Sequence, residues 1–132
     1  MSDRDTVSEI LGQMITACQR IEWRMKGITS PDDLLESEER LEKLDGLCMM
    51  IIALGESVKN LDKVTEGNLL PRYPQVPWNN MAKMRDVISH HYFDLNAEVV
   101  YDVCANHIPS LVGVLQLMRE EVGGEDVKRP SS

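Results

Sequence analysis

A chain of 132 residues, 42% hydrophobic and 27% charged, holds one domain's worth of apolar side chains. A chain of this size buries about two thirds of its unfolded surface in one core, which excludes intrinsic disorder. The 14 basic against 22 acidic residues leave a formal charge of −8, which opposes a general nucleic-acid coat, since phosphate affinity comes from Lys and Arg, but leaves room for a local basic site. The longest apolar run, Leu47 to Leu54, falls well short of the roughly 20 residues that cross a bilayer, so no membrane association is expected.

The start, Met1-Ser2-Asp3-Arg4-Asp5, has neither the basic residues nor the apolar stretch of a secretory signal, and a cytoplasmic location is expected. Cys18, Cys48 and Cys104 are odd in number and widely spaced, with no Cys/His pairing suited to zinc. They are predicted to be reduced core residues, and neither a metal nor a cofactor is expected.

In chain order, Val7, Ile10, Leu11, Met14, Cys18, Ile21, Met25 and Ile28 recur at steps of three and four, which predicts one apolar stripe on a long helix that Gly27 helps to end. Ser30-Pro31-Asp32-Asp33 is a helix-start signal: a capping hydroxyl, Pro at the first helical position and acids where the helix dipole favours them. A short turn over Pro31 to Leu35 is predicted to lead into a long helix from Ser37 to Asp62. There Leu41, Leu44, Cys48, Ile51, Gly55 and Val58 form one stripe, and Leu47, Leu54 and Leu61 widen it, which predicts burial on two sides. Gly55 costs about 1 kcal/mol relative to Ala in a helix, so another helix is expected to come close to the backbone there. The run from Glu36 to Glu42 reads as a solvated face.

From Thr65 to Pro77, three prolines in seven residues forbid helix and central strand and predict the one long loop. A third helix starts at Pro77 or Trp78 with Trp78, Met81, Met84 and Ile88 inward. After Asp94 and Asn96, both competent caps, a fourth carries Val99, Val100 and Val103 inward, and Pro109 is expected to kink or split it before Leu111, Val112, Leu115 and Met118. Met14, Met49, Met50, Met81, Met84 and Met118 read as core filler. Residues 1–122 form the single predicted domain, with 123–132, from Gly123-Gly124 onwards, a frayed tail.

The residues that could carry chemistry are Arg85-Asp86-Val87-Ile88-Ser89-His90-His91-Tyr92. On an unbroken helix Tyr92 would share a stripe with Arg85, while His90 would point roughly 140° away. The motif therefore belongs at a helix end, where His90 can turn towards Arg85 or towards a second copy of the chain. Histidine titrates near neutrality and can move a proton from or to a sugar or leaving oxygen, and the guanidinium fork suits a phosphate whose charge is building. A tyrosine beside them can orient a phosphate or stack on a base, and Asp86 can bind Arg85 or fix a histidine tautomer.

This spacing resembles the RxxxxHxY motif of the HEPN superfamily, in particular its HepT-like toxin family. Ala53-Leu54-Gly55-Glu56 resembles that family's IGEA segment, Tyr73-Pro74-Gln75-Val76-Pro77-Trp78 its YPxIPW entry to the motif helix, and Tyr92-Phe93-Asp94 its YFxI exit. The signatures stand in the family's order over roughly residues 5 to 122. The resemblance implies an all-α, up-and-down bundle of four or five helices that dimerises through helices, with the motif helices of a homodimer lining a shared cleft. It also implies a metal-independent endoribonuclease toxin leaving a 2′,3′-cyclic phosphate on tRNA or mRNA, with an MNT-type nucleotidyltransferase antitoxin as partner. Carried over, Arg85 binds phosphate, His90 is the general acid or base, and Tyr92 is both a catalytic residue and the target of adenylylation by the partner. The motif often has glycine where His91 stands here, which adds a second ring competent in proton transfer.

Glu56, a carboxylate on a helix that reads as buried, needs either a structural tie to an Arg or backbone donor, or a place in the cleft. Trp78 reads as core or dimer contact, Tyr73 equally as cleft, interface or plain packing, and His107 as a surface or capping side chain. For RNA to be held by so acidic a chain, Lys59, Lys63, Arg72, Lys83 and Arg85 are expected to gather around one cleft. The alternative function is a catalytically weak HEPN module that serves as nucleotide- or substrate-binding partner of a nucleotidyltransferase; an inert helical dimer is the third reading.

Overall fold

The computed structural model describes residues 3–127, and every regular element among them is helical. The first helix, α1 (Asp3–Arg24), buries Val7, Ile10, Leu11, Met14, Ala17, Cys18 and Ile21, the stripe that spacing by three and four predicts. It is shorter than expected. The chain turns after Arg24, Gly27 takes φ +80°, the left-handed region open to glycine, and Ile28 reaches the core from beyond the helix. Ser30 then caps a 3-10 turn over Pro31–Leu35: Asp33 N–H donates to Ser30 Oγ (3.3 Å) and Ser30 N–H to Asp33 Oδ2 (3.2 Å). Both orphan donors of the turn are satisfied reciprocally.

Ser37 caps the central helix α2 (Glu38–Val64), accepting from Arg40 N–H at 3.1 Å. Helix α2 packs against α1 on one side and α3 (Trp78–His90) on the other, and α1 also packs against the last helix, α5 (Ile108–Val127). That position explains the wide stripe of α2, in which Leu44, Leu47, Cys48, Ile51, Leu54, Gly55, Val58 and Leu61 are buried. Leu41, expected inside, is 41% exposed at the margin of the stripe, and Met49, expected as core filler, is exposed on the opposite face of α2, with Asp45 and Glu56.

The proline-rich segment is better packed than its composition suggests. It holds a 3-10 turn over Leu70–Arg72 with Pro71 in its first positions, and it buries Leu69, Leu70, Tyr73 and Val76. Trp78 is core, with its indole N–H donating to the Tyr73 carbonyl at 3.0 Å. Met81 and Met84 are half-buried and border a cavity of about 290 Å3 above Ile51 and Leu54, between α2, α3 and the start of α5.

Asn96 caps α4 (Ala97–Asp102), accepting from Glu98 N–H at 2.8 Å. Val100 is buried and Val103 half-buried, whereas Val99, expected inward, is exposed. The predicted break at Pro109 takes the form of a π-helical turn over Val103–His107, in which Ile108 N–H reaches back five residues to the Val103 carbonyl. Pro109 has no N–H to donate one turn back, so the ladder is already broken there and the wider turn absorbs the mismatch. His107 is exposed and paired with Asp102 (3.2 Å). Helix α5 runs through Gly123 and Gly124 to Val127, past the point where the tail was expected to fray; the rest of that tail lies outside the described residues. No helix among the described residues is long and apolar enough to cross a membrane.

Candidate functional site

Helices α2 and α3 meet where α2 has no side chain. A Cβ on Gly55 would overlap the Cβ of Arg85 and stand 3.0 Å from the Met81 carbonyl oxygen. The close approach expected from a glycine in mid-helix is therefore that of α3, and it lays Arg85 beside the next residue of α2, Glu56. Arg85 Nε pairs with the Glu56 carboxylate, and Nη1 donates to Asp86 Oδ1 at 3.0 Å. Lys59 Nζ donates to that same Asp86 oxygen at 3.2 Å. Two cations thus share one carboxylate oxygen, and a second carboxylate holds the other edge of the guanidinium.

The electrostatics follow from these contacts. The Asp86 hydrogen bond, reinforced by Glu56, raises the Arg85 pKa above its usual value, so this cation is permanent. Arg85, with Lys59 second, holds the Asp86 carboxyl below the usual carboxylate range. The Arg85 side chain keeps 31% of its surface exposed, which leaves it open to a solvent-borne anion.

Helix α3 ends at His90, as the motif requires, and His91 N–H closes it on the Val87 carbonyl. His90 Nδ1 lies 2.9 Å from the backbone carbonyl oxygen of Asp86, one turn back. A carbonyl only accepts, so Nδ1 carries the hydrogen and Nε2 of the neutral ring keeps its lone pair, facing outwards. Asp86 thus does both things its position allowed: its carboxylate binds Arg85 and its carbonyl sets the His90 tautomer. His91 is exposed at the helix end.

Tyr92 departs from the sequence expectation. It opens a 3-10 turn (Tyr92–Asp94), and its hydroxyl donates to the Asp45 carboxylate on α2. Asp45 precedes Glu56 by 11 residues, roughly 16 Å along the helix axis, so within one chain the Tyr92 hydroxyl lies well away from the Arg85 guanidinium. Asp45 had no signal in the sequence; 47 residues separate it from Tyr92, and no local period links them. Phe93, 97% exposed, meets the Tyr92 ring edge to face at 5.4 Å. Tyr73 is buried, with its hydroxyl donating to Glu121 of α5 at 2.7 Å.

Of the five cations expected to gather, Lys59 meets Arg85 through the shared Asp86 oxygen, and Lys63 lines a shallow groove with Glu56 and Lys59. Lys83 is two residues from Arg85, about 200° around α3, and faces away from it. Among the described residues no group of three or more His, Cys, Asp or Glu is placed to hold a metal ion.

Comparison with known proteins agrees with the motif. The family described as "Ribonuclease HepT-like" matches residues 14–118. "Putative RNase MJ0127" of Methanocaldococcus jannaschii is 38% identical over 73 residues, covering 55% of this chain and 57% of that protein. "Probable ribonuclease HepT" of Thermococcus cleftensis is 33% identical over 67 residues, 51% of this chain and 57% of that protein. "Putative RNase TTE0752" of Caldanaerobacter subterraneus subsp. tengcongensis is 29% identical over 104 residues, 76% and 83% of the two chains. The chain thus spans little more than half the length of the first two, and no solved structure matches it. With the family match running from the middle of α1 to α5 and taking in the Arg85 to Tyr92 motif, the chain belongs to the HepT-like ribonuclease family of the HEPN superfamily.

Proposed function

We propose that this protein is a metal-independent endoribonuclease, the toxin of a two-gene pair whose antitoxin is an MNT-type nucleotidyltransferase, acting in the cytoplasm as a homodimer. The observation that carries the reading is the convergence on Asp86: a permanently charged, part-exposed guanidinium on its carboxylate and a tautomer-fixed imidazole on its carbonyl, one helical turn apart.

In the proposed reaction the RNA phosphate displaces a carboxylate from Arg85, whose fork then holds the non-bridging oxygens as charge builds on them. His90 Nε2 takes the proton of the 2′-hydroxyl, and that oxygen attacks the adjacent phosphorus. The bond from phosphorus to the 5′ oxygen breaks, and the leaving oxygen takes a proton from a protonated imidazole. The products are a 2′,3′-cyclic phosphate and a 5′-hydroxyl. A dimer would supply the second imidazole, His90 of the other copy; His91, exposed at the same helix end, is the other ring able to do so. Exposed Phe93, Val87 and Tyr92 at the end of α3 support pairing there. Tyr92, 41% exposed, is open to adenylylation by the partner, and the added nucleotide would block the cleft.

The test is cleavage of end-labelled bulk tRNA and mRNA in EDTA by wild type, Arg85→Ala and His90→Ala. The expected result is cleavage by wild type alone, with cyclic phosphate ends. The alternative is a binding module for a nucleotidyltransferase, and the double carboxylate hold on Arg85 favours it. RNA left intact by all three proteins, with the partner still bound, would replace the nuclease reading with that one.

A further inference from the structure

Beyond Arg85, His90 and Tyr92, the outer face of α2 carries a second ordered set of side chains. Lys59 and Asn60 lie three and four residues after Glu56, and Lys63 lies four and three after them, so the four share one stripe. With Ser57 they line a shallow open groove of about 340 Å3. Glu56 begins the stripe paired with Arg85, and Lys59, whose ammonium shares the Asp86 oxygen with Arg85 Nη1, stands no more than about 6 Å from that nitrogen. Lys63 lies one turn further, about 6 Å along the axis. Among the described residues Lys63 makes no ion pair, and it is exposed in the last turn of α2.

We propose that this stripe is the track for the RNA strand on one side of the scissile phosphate: Arg85 takes the scissile phosphate, and Lys59 and Lys63 take the next two in succession. The inference rests on the ribonuclease reading and extends it to residues outside the motif. Arg85, laid by α3 against α2 at Glu56, and Lys59 and Lys63, one turn apart on α2, form a row of three cations that suits the repeat of a phosphate backbone, and phosphate contacts position a strand without reading its sequence. The carboxylates at the start of the track do not oppose this: the phosphate displaces Asp86 from Arg85 Nη1, Asp86 keeps Lys59, and Glu56 stays on Arg85 Nε. Lys59 also keeps Asp86 neutralised once a phosphate has taken Arg85.

The experiment is fluorescence anisotropy with a labelled single-stranded oligoribonucleotide, 2′-O-methylated throughout so that it has no attacking hydroxyl, titrated over a range of KCl concentrations. Lys63→Gln is the decisive variant, since it leaves the Arg85 network untouched, and Lys26→Gln, on the turn after α1, is the control. For a single strand each lost phosphate contact lowers the slope of log K against log salt by about 0.7. Lys63→Gln and Lys59→Gln are each expected to show that loss, with affinity several-fold weaker at low salt, and Lys26→Gln the wild-type slope. Wild-type slopes in both stripe variants, with RNA still bound, would overturn the track and leave the stripe for an acidic protein. An equal loss in Lys26→Gln would overturn it as well, by showing only a diffuse charge effect. No binding by wild type would overturn the ribonuclease reading itself, which the cleavage assay checks independently.

Discussion

Gly55 of α2 and Arg85 of α3 are in van der Waals contact, backbone against side chain, at the point where the two helices come closest. Gly55→Ala gains about 1 kcal/mol of helix propensity but forces α3 outwards, and overpacking of that kind costs about 1–3 kcal/mol. The expected net effect is destabilisation by about 1 kcal/mol, a fall in Tm of roughly 4 °C for a chain of this size. Because the displaced residue is Arg85, RNA cleavage is expected to fall much further than stability. Thermal melting and single-turnover cleavage on the same preparation check both; a more stable variant with full activity would refute the contact.

The capping hydroxyl of Ser37 accepts from Arg40 N–H at the start of α2. Ser37→Ala leaves that donor without its partner and is expected to cost about 1 kcal/mol, while Ser37→Asp, which restores an acceptor and adds a favourable charge, is expected to keep wild-type stability. Urea melts of the three proteins decide it.

Phe93 exposes nearly its whole side chain beside Tyr92. Phe93→Asp is expected to leave the monomer fold intact and to convert the proposed dimer to monomer, with loss of cleavage. Sedimentation of wild type and variant at micromolar concentration, with circular dichroism as the fold control, measures this; a wild type that sediments as a monomer would count against a composite cleft.

The hydrogen bond to Asp45 raises the Tyr92 pKa, because the neighbouring carboxylate opposes a phenolate. Asp45→Asn is expected to bring it back towards the usual phenol value of about 10. Ultraviolet titration with Tyr92→Phe as reference reads the shift, and an unchanged curve would show that the two side chains do not meet in solution.

Burial pushes the thiols of Cys18 and Cys104 up to about 12 and that of Cys48 to about 11. All three are buried free cysteines. The thiolate is the reactive form, so labelling of native protein at pH 8 is expected to be slow by orders of magnitude and to become fast in denaturant. The folded values lie above the unfolded one of about 8.5, so the unfolded chain loses thiol protons first. The stability contribution is complete below that pH and is lost as pH rises through the folded values. Melts between pH 8 and 10 should fall less steeply for Cys104→Ala than for wild type.

The sequence by itself determined the helices and the punctuation between them, because spacing by three and four, capping hydroxyls and prolines act over a few residues. Ser30 as a cap, the start of α2 at Ser37, the end of α3 at His90, the break before Pro109 and the close approach at Gly55 were all legible in that way. So was the pairing of Arg85 with Asp86, its neighbour in the chain. Only the tertiary structure decided which margin of each stripe is covered, since that depends on how far a neighbouring helix extends. Leu41 and Val99 are exposed for that reason although their spacing reads as buried. It also decided the contacts made across sequence distance: Glu56 on Arg85, Lys59 on Asp86, and Asp45 on Tyr92. A helical period describes neighbours three and four apart, and it carries no trace of a partner that comes close only when α3 is laid against α2.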